Sequence, residues 1–393
     1  KREGMVRWPP VAEVLNVDFS YTEVQQMLQD SVQKFVQKSY DFDTRNKIIS
    51  SETGYSADNW QLFAELGWLA VPFSEEDGGL GGSAVDLMVI MEEFGKANLV
   101  EPYTATAVLG GSLVANLATG TQKEKLLGGI ISGELQIAPA LAEPNGRYNP
   151  ASVATTATAD GDRITLNGTK IAVENGPNAD MLLVSARESG EMRDVEGISV
   201  FSVEAGSPGV KIRKYRTVDG KQAAEVMLDQ VSVAANNRLG EAGAALPGIE
   251  SALNRSIVGV SAEAVGALEV LLHKTVEYSK TRKQFGTAIG TFQALQHRMA
   301  DMFIQCQLTR SIVIMAAMSL DSDDSSVEKA KAVAAAKSRV GKAIKSVGQE
   351  AIQIHGGIAM TEELDVGHLF KRATALDLAY GDGDYHTQRF ATL

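Results

Sequence analysis

Two short segments carry residue types suited to holding a phosphate-bearing ligand. In the run Tyr278-Ser279-Lys280-Thr281-Arg282-Lys283-Gln284-Phe285-Gly286, Arg282 offers a planar guanidinium that can pair with a pyrophosphate. Phe285 offers a ring that can pack on an aromatic base. In Gln353-Ile354-His355-Gly356-Gly357, two glycines after a helical stretch let the backbone approach a ligand and present free N–H groups to phosphate oxygens. His355 reads as a hydrogen-bonded buried side chain rather than a catalyst. Close to the end, Asp382 and Asp384 flank Gly383 in a glycine-rich turn, where aspartates commonly bond to their own backbone. The run Gly78-Gly79-Leu80-Gly81-Gly82 has the look of a dinucleotide loop. No strand–helix–strand unit surrounds it, so it reads as a tight surface loop between helices.

The elements that must position these residues follow from periodicity. Val24, Met27, Leu28, Val32, Phe35 and Val36 recur three or four apart and predict a helix with one buried face. A second helix passes through Trp60, Phe63 and Leu66 and stops at Gly67, a third spans Ser83 to Lys96, and Thr121-Gln122-Lys123-Glu124 has the form of a capping box opening a fourth. From Ala138 the pattern turns to short alternating or apolar runs. Asp160-Gly161-Asp162 and Asn167-Gly168 supply hairpin turns, and the last strand falls near Ala224 to Val233. Helical periodicity returns near Ile249–Lys280, Ala288–Asp321, Val327–Ile354 and Glu362–Ala379. The fold class is therefore α+β: an N-terminal α-helical domain (1–137), a middle antiparallel β domain (138–240) and a C-terminal four-helix bundle (241–393).

Composition narrows the function. The chain has 393 residues, 49 acidic against 37 basic side chains and a formal charge of -12. An acidic protein without a run of Lys and Arg is not built to neutralise nucleic acid. No stretch approaches 18 uninterrupted apolar residues, which argues against a membrane span. Cys306 is the single cysteine, so an internal disulfide or a cysteine metal cluster is out, and a reducing, cytoplasmic setting is expected. Lys1-Arg2-Glu3-Gly4 lacks the apolar core of a secretory signal and reads as an extension ahead of a native start at Met5.

Taken together the motifs resemble the acyl-CoA dehydrogenase family over nearly the whole chain. The resemblance is carried by Tyr278–Gly286, by Phe292-Gln293-Ala294-Leu295-Gln296, by Met299-Ala300-Asp301-Met302 and by Gln353–Ala359 with Thr361-Glu362. Weaker segments such as Gly67–Pro72, Glu143-Pro144 and Arg238-Leu239-Gly240 fall in the family's order. The resemblance implies FAD-dependent α,β-dehydrogenation of an acyl-CoA thioester, with electrons passed to an electron-transfer flavoprotein. It also implies a homo-oligomer (dimer or tetramer) or a hetero-oligomer with a related subunit. By the same resemblance Arg282, Phe285, Gln353, Gly356 and Gly357 hold the ADP half of a neighbour's FAD, and Asn254 and Arg255 lie near the pantetheine arm of CoA.

The departures are as telling. The reaction needs a base for the α-proton, and the family commonly supplies a Glu followed by Gly-Thr near the C-terminus. Here an ungapped comparison puts Gly381 at that place. One inserted residue brings Asp382 there, with Asp384 in reserve. Ser256, at the position where some relatives keep the base on a helix, cannot serve. At the flavin ring, the family's Thr-Glu-Pro reads Ala142-Glu143-Pro144, and its Trp-x-Thr/Ser-Asn-Gly reads Ala172-Val173-Glu174-Asn175-Gly176. Ala142 and Glu174 thus stand where ring-contacting hydroxyls are usual. Three readings follow: a divergent dehydrogenase that uses backbone groups, a partner subunit of a heteromeric enzyme, or a flavin oxidase or monooxygenase of the same fold.

Overall fold

The computed structural model describes residues 21–393, and the expectation at Lys1–Gly4 lies outside them. Six helices come first: α1 (Glu23–Ser39), α2 (Phe42–Ser50), α3 (Ala57–Glu65), α4 (Ala84–Ala97), α5 (Gly111–Leu117) and α6 (Gly120–Ile131). A π-helical segment, Thr104–Gly110, runs directly into α5. The α4 start is the one its sequence dictates: the Ser83 hydroxyl accepts from the Asp86 N–H at 3.0 Å, and the Asp86 carboxylate accepts from the Ser83 N–H at 2.8 Å. Two expectations need correcting. The apolar stripe of α1 is buried only at Val32 and Phe35, while Val24 and Met27 stay exposed. The capping box at Thr121 does not open α6, which begins at Gly120 behind Thr119 with no side-chain cap.

The sheet comprises β1 (Ile137–Ala140), β2 (Thr156–Asp160), β3 (Arg163–Glu174), β4 (Met181–Arg187), β5 (Ile198–Glu204), β6 (Val210–Arg216), β7 (Gln222–Ala234) and β8 (Arg238–Leu239). The spatial order is β6-β7-β3-β2-β4-β5-β8, with β1 also on β4. Asp160 opposite Arg163 closes the predicted β2–β3 hairpin. Asn167-Gly168 makes no hairpin. It lies within β3 at a register shift, where Asn167 Oδ1 accepts from the Gln230 N–H at 2.8 Å. Nor is the sheet wholly antiparallel, since β1 and β2 both run parallel to β4. The chain leaves the edge of β4 after β1, loops over residues 141–155, and rejoins it in the same direction. That loop carries Ala142 and Glu143.

The C-terminal part holds α7 (Leu246–Thr281), a small hairpin of β9 (Lys283–Gln284) and β10 (Thr287–Ala288), then α8 (Gln293–Asp321), α9 (Ser326–His355), α10 (Asp365–Leu378) and a further helix not anticipated, α11 (Gly383–Thr392). Among the described residues, α7 and α8 are long and apolar enough to cross a membrane by length and composition. Scattered polar residues hid this from a search for uninterrupted apolar runs. α7 buries its apolar surface against α4, α5, α8, α9 and α10 as the central core helix. α8 instead leaves Phe303, Ile304, Leu308, Met315 and Met318 exposed, an apolar stripe of the kind that marks an interface.

Candidate active site

The two phosphate-suited segments end up side by side because α7 and α9 finish together. His355, the last residue of α9, stacks on Tyr278 of α7 with ring centres 4.5 Å apart, and its Nδ1 bonds the Ala351 carbonyl at 2.8 Å. Its role is to pin the two helix ends, as a buried, backbone-bonded imidazole should. Arg282 lies just past α7 with an exposed side chain that no ion pair engages among the described residues. Phe285 and Gly286 form the tip of the β9–β10 hairpin, both at positive φ. Phe285 is 93% exposed, its ring centre 6.2 Å from that of Phe292. Gln353, Gly356 and Gly357 are exposed as well. Gly356 has φ 70 and ψ -150, a region closed to L side chains, and a Cβ at either glycine would meet nothing within 4 Å. An aromatic tip, a free guanidinium and two bare glycines, all facing outward, fit a dinucleotide supplied from outside this chain.

The ring-side positions differ. Ala142 is half-buried, and its carbonyl accepts from the Ile171 N–H at 2.9 Å. Glu143 is fully committed: it accepts from Lys170 Nζ at 2.6 Å and from the N–H groups of Ala154 and Thr155 at 2.7 and 3.0 Å. Burial works to raise its carboxyl, but Lys170 and the backbone donors outweigh that and hold it below the usual range. Burial also lowers Lys170, to about 8. Ala172 is exposed at positive φ. Glu174 sits 3.8 Å from Lys221 Nζ, and its Oε1 is buried with no hydrogen-bond partner. These side chains offer an isoalloxazine no hydroxyl and no indole, so this chain's own half does not fit the ring in the family manner.

Around the C-terminal turn the geometry replaces the expected base. Tyr380 and Gly381 both take positive φ, 57° and 111°. A Cβ on Gly381 would lie 2.5 Å from Tyr385 Cδ1 and 2.7 Å from His386 Nε2. Asp382 is the N-cap of α11, its carboxylate accepting from the Tyr385 N–H at 2.8 Å, and Asp384 is exposed in the first turn. The expectation of a buried catalytic carboxylate at either is not met, because the insertion that brings Asp382 into line also starts a helix there. Tyr385 reaches back to the Tyr148 carbonyl at 3.2 Å, with the two rings 5.2 Å apart, tying α11 to the loop after Pro144. Asn254 and Arg255 diverge. Asn254 Oδ1 accepts from Arg389 at 3.4 Å, whereas Arg255 donates to the Gly82 carbonyl at 3.2 Å, its Nε buried without a partner. Burial lowers the Arg255 pKa. The Arg255 guanidinium turns into the helical domain, so the structure does not bring Asn254 and Arg255 together as a shared contact surface.

Two buried cations escaped the sequence reading and govern this region. Arg372 of α10 binds Glu263 of α7 through Nε and Nη2 at 2.6 and 2.8 Å, and Asp219 of the β6–β7 turn through Nη1 at 2.7 Å. Lys337 of α9 is fully buried and donates to the Asp377 carbonyl at 2.8 Å and to that of Leu376, closing the end of α10. Both fall on apolar helical faces, Arg372 among Leu369, Ala373 and Leu376, and Lys337 among Val333, Ala336 and Val340. A cation at a core position is the signal that would have found them. Burial pushes Lys337 down to about 7, so between that value and its ordinary 10.5 the unfolded chain binds the extra proton. Its contribution therefore destabilises most below pH 7 and is relieved as pH rises. In urea unfolding, wild type should gain about 2 to 4 kcal/mol relative to Lys337→Met between pH 7 and pH 9.5.

The comparisons with known proteins agree with this architecture. The descriptions "Acyl-CoA dehydrogenase, N-terminal domain", "middle domain" and "C-terminal domain" match residues 22–134, 138–231 and 246–392. The chain belongs to the acyl-CoA dehydrogenase family, FAD-dependent oxidoreductases acting on CH–CH groups. It is similar to the probable acyl-CoA dehydrogenase YngJ of Bacillus subtilis, 30% identical over 379 residues, covering 95% of this chain and 98% of that one. It is also similar to CarC, a subunit of the caffeyl-CoA reductase-Etf complex of Acetobacterium woodii, 27% identical over 357 residues and covering 89% and 93% of the two chains. Among solved structures, a chain of the ChsE4-ChsE5 complex from Mycobacterium tuberculosis superposes with a TM-score of 0.86 at 25% identity, covering 95% of this chain and 98% of that one.

Proposed function

We propose that this chain is one subunit of a FAD-dependent acyl-CoA dehydrogenase that works with a related partner chain carrying the catalytic base. The observation that carries the reading is Gly381: the place of the base is a glycine at φ 111 with no room for a Cβ, and of the two aspartates that follow it Asp382 is a helix cap and Asp384 a surface group, while the buried Asp377 carboxylate is taken up by the Gly383 N–H at 3.1 Å. FAD supplies the acceptor for the hydride leaving the substrate's β carbon. This chain's part is to hold the dinucleotide end through Arg282, Phe285, Gln353 and the open backbone of Gly356 and Gly357, and to cover the partner with the apolar stripe of α8. ChsE4-ChsE5, a complex of two named proteins, gives the pairing a parallel. CarC, a subunit of a reductase-Etf complex, supports an electron-transfer flavoprotein as the redox partner. A buried lone thiol, Cys306, suits a reducing cytoplasm.

Arg282→Ala in the assembled enzyme should weaken FAD retention by roughly 1.5 to 3 kcal/mol, through loss of a charge-assisted phosphate contact. Flavin released on dilution and dialysis reads the effect. Asp382→Asn tests the position of the base. Asn caps a helix as well as Asp, so stability should move by under about 0.5 kcal/mol. Turnover of the assembled enzyme should also hold within about twofold, which is under 0.5 kcal/mol in the barrier. Abolished turnover in a folded Asp382→Asn enzyme would return the base to this chain.

A further inference from the structure

The three altered ring-side positions do not act alike. Ala142 and Ala172 remove contacts without occupying space, since one is half-buried and the other exposed. Glu174 introduces a charge. Its Oε1 is buried with no donor, and Lys221, at 3.8 Å, is beyond hydrogen-bonding range. The other nearby cation, Arg372, is taken up by Glu263 and Asp219. An isoalloxazine presents mostly acceptors along its polar edge, N1, O2, O4 and N5, with N3–H as its single donor. Ring acceptor atoms facing an undonated carboxylate oxygen are repelled, and they lose water without gaining a hydrogen bond.

We propose that Glu174 bars a flavin ring from this chain's own side, so that the chain grips only the dinucleotide end of FAD and does so for its neighbour. The inference rests on the reading of the chain as a flavin-sharing subunit and assigns a residue to that division of labour. The retained features at Arg282, Gly356 and Gly357 recognise phosphate and backbone-accessible ligand atoms that ADP and FAD have in common. The ring adds nothing.

The test compares ADP with FAD on the full-length chain purified by itself, by isothermal titration. The two dissociation constants should agree within about threefold for wild type. In Glu174→Thr and Glu174→Gln, each of which supplies a donor, one copy of the chain can receive the ring of the FAD whose dinucleotide end a second copy holds, and FAD should bind at least about tenfold more tightly than ADP, with ADP affinity unchanged and circular dichroism confirming the fold. Wild-type chain that binds FAD more than about a hundredfold tighter than ADP overturns the proposal. So does a chain that binds neither, and so does an unaltered FAD-to-ADP ratio in both folded variants. Failure of the heteromeric reading would show elsewhere, as acyl-CoA dehydrogenation by the unaccompanied chain, a quantity these titrations do not measure.

Discussion

Replacing Arg372 by Met should lower the stability of the chain by roughly 3 to 5 kcal/mol, measured as a shift of the urea midpoint at constant slope. The guanidinium is buried between Glu263 and Asp219, and removing it strands two buried carboxylates without a direct ion pair among the described residues, only the more distant Lys221 still acting on Asp219. The loss is large because the penalty of an unpaired buried charge is added to the lost hydrogen bonds. Asp219 is further tied to the N-terminal domain, its carbonyl lying 3.5 Å from Arg45 Nη2. The clamp therefore joins α2, the β6–β7 turn, α7 and α10. Arg372→Lys keeps the charge but not the two-pronged geometry and should recover only part of the loss. A midpoint unchanged in Arg372→Met would mean that the four-way contact does not hold the domains together.

Writing a glutamate at Gly381 should produce a less stable chain and no dehydrogenase activity in it. The family resemblance makes this the obvious repair, and the structure says why it fails. The backbone there has φ 111, a conformation that costs a non-glycine residue about 1 to 3 kcal/mol, and the added Cβ would collide with Tyr385 and His386. His386 is buried and held neutral, with burial taking it down to about 4, and its Nε2 bonds the Tyr380 carbonyl at 3.0 Å, so it cannot simply swing aside. Gly381→Ala adds only the Cβ, with its backbone strain and its clash, and should show most of the same destabilisation. A Gly381→Glu chain that dehydrogenates an acyl-CoA by itself would show that only the side chain was missing.

The order of domains was legible because each relies on a signal that survives in one sequence: helical spacing through Val32 and Phe35, the two-residue turn at Gly161-Asp162, and the paired serine and aspartate opening α4. The surface edge proposed to hold the dinucleotide was conspicuous in the sequence for a related reason. Arg282, Phe285 and the glycines at 356 and 357 stand in short local motifs, and the structure leaves all of them exposed. What remained hidden depends on tertiary contacts. Asn167-Gly168 looks like a turn until β7 pairs along it, and Asp382 looks like a free carboxylate until α11 begins behind it. Arg255 lies one residue from Asn254, yet the helical rotation sends it toward Gly82. The clamp at Arg372 brings together residues 109 and 153 apart in sequence, which no local pattern announces.

The most direct measurement compares flavin content and acyl-CoA turnover, with an electron-transfer flavoprotein as acceptor, for the chain expressed by itself and together with a related acyl-CoA dehydrogenase chain. Protein made alone should be colourless and inactive. The paired protein should be yellow and active, and its activity should be lost when the companion's catalytic carboxylate is neutralised while this chain is left intact. A chain purified alone with a full complement of flavin, dehydrogenating an acyl-CoA unaided, would contradict the account.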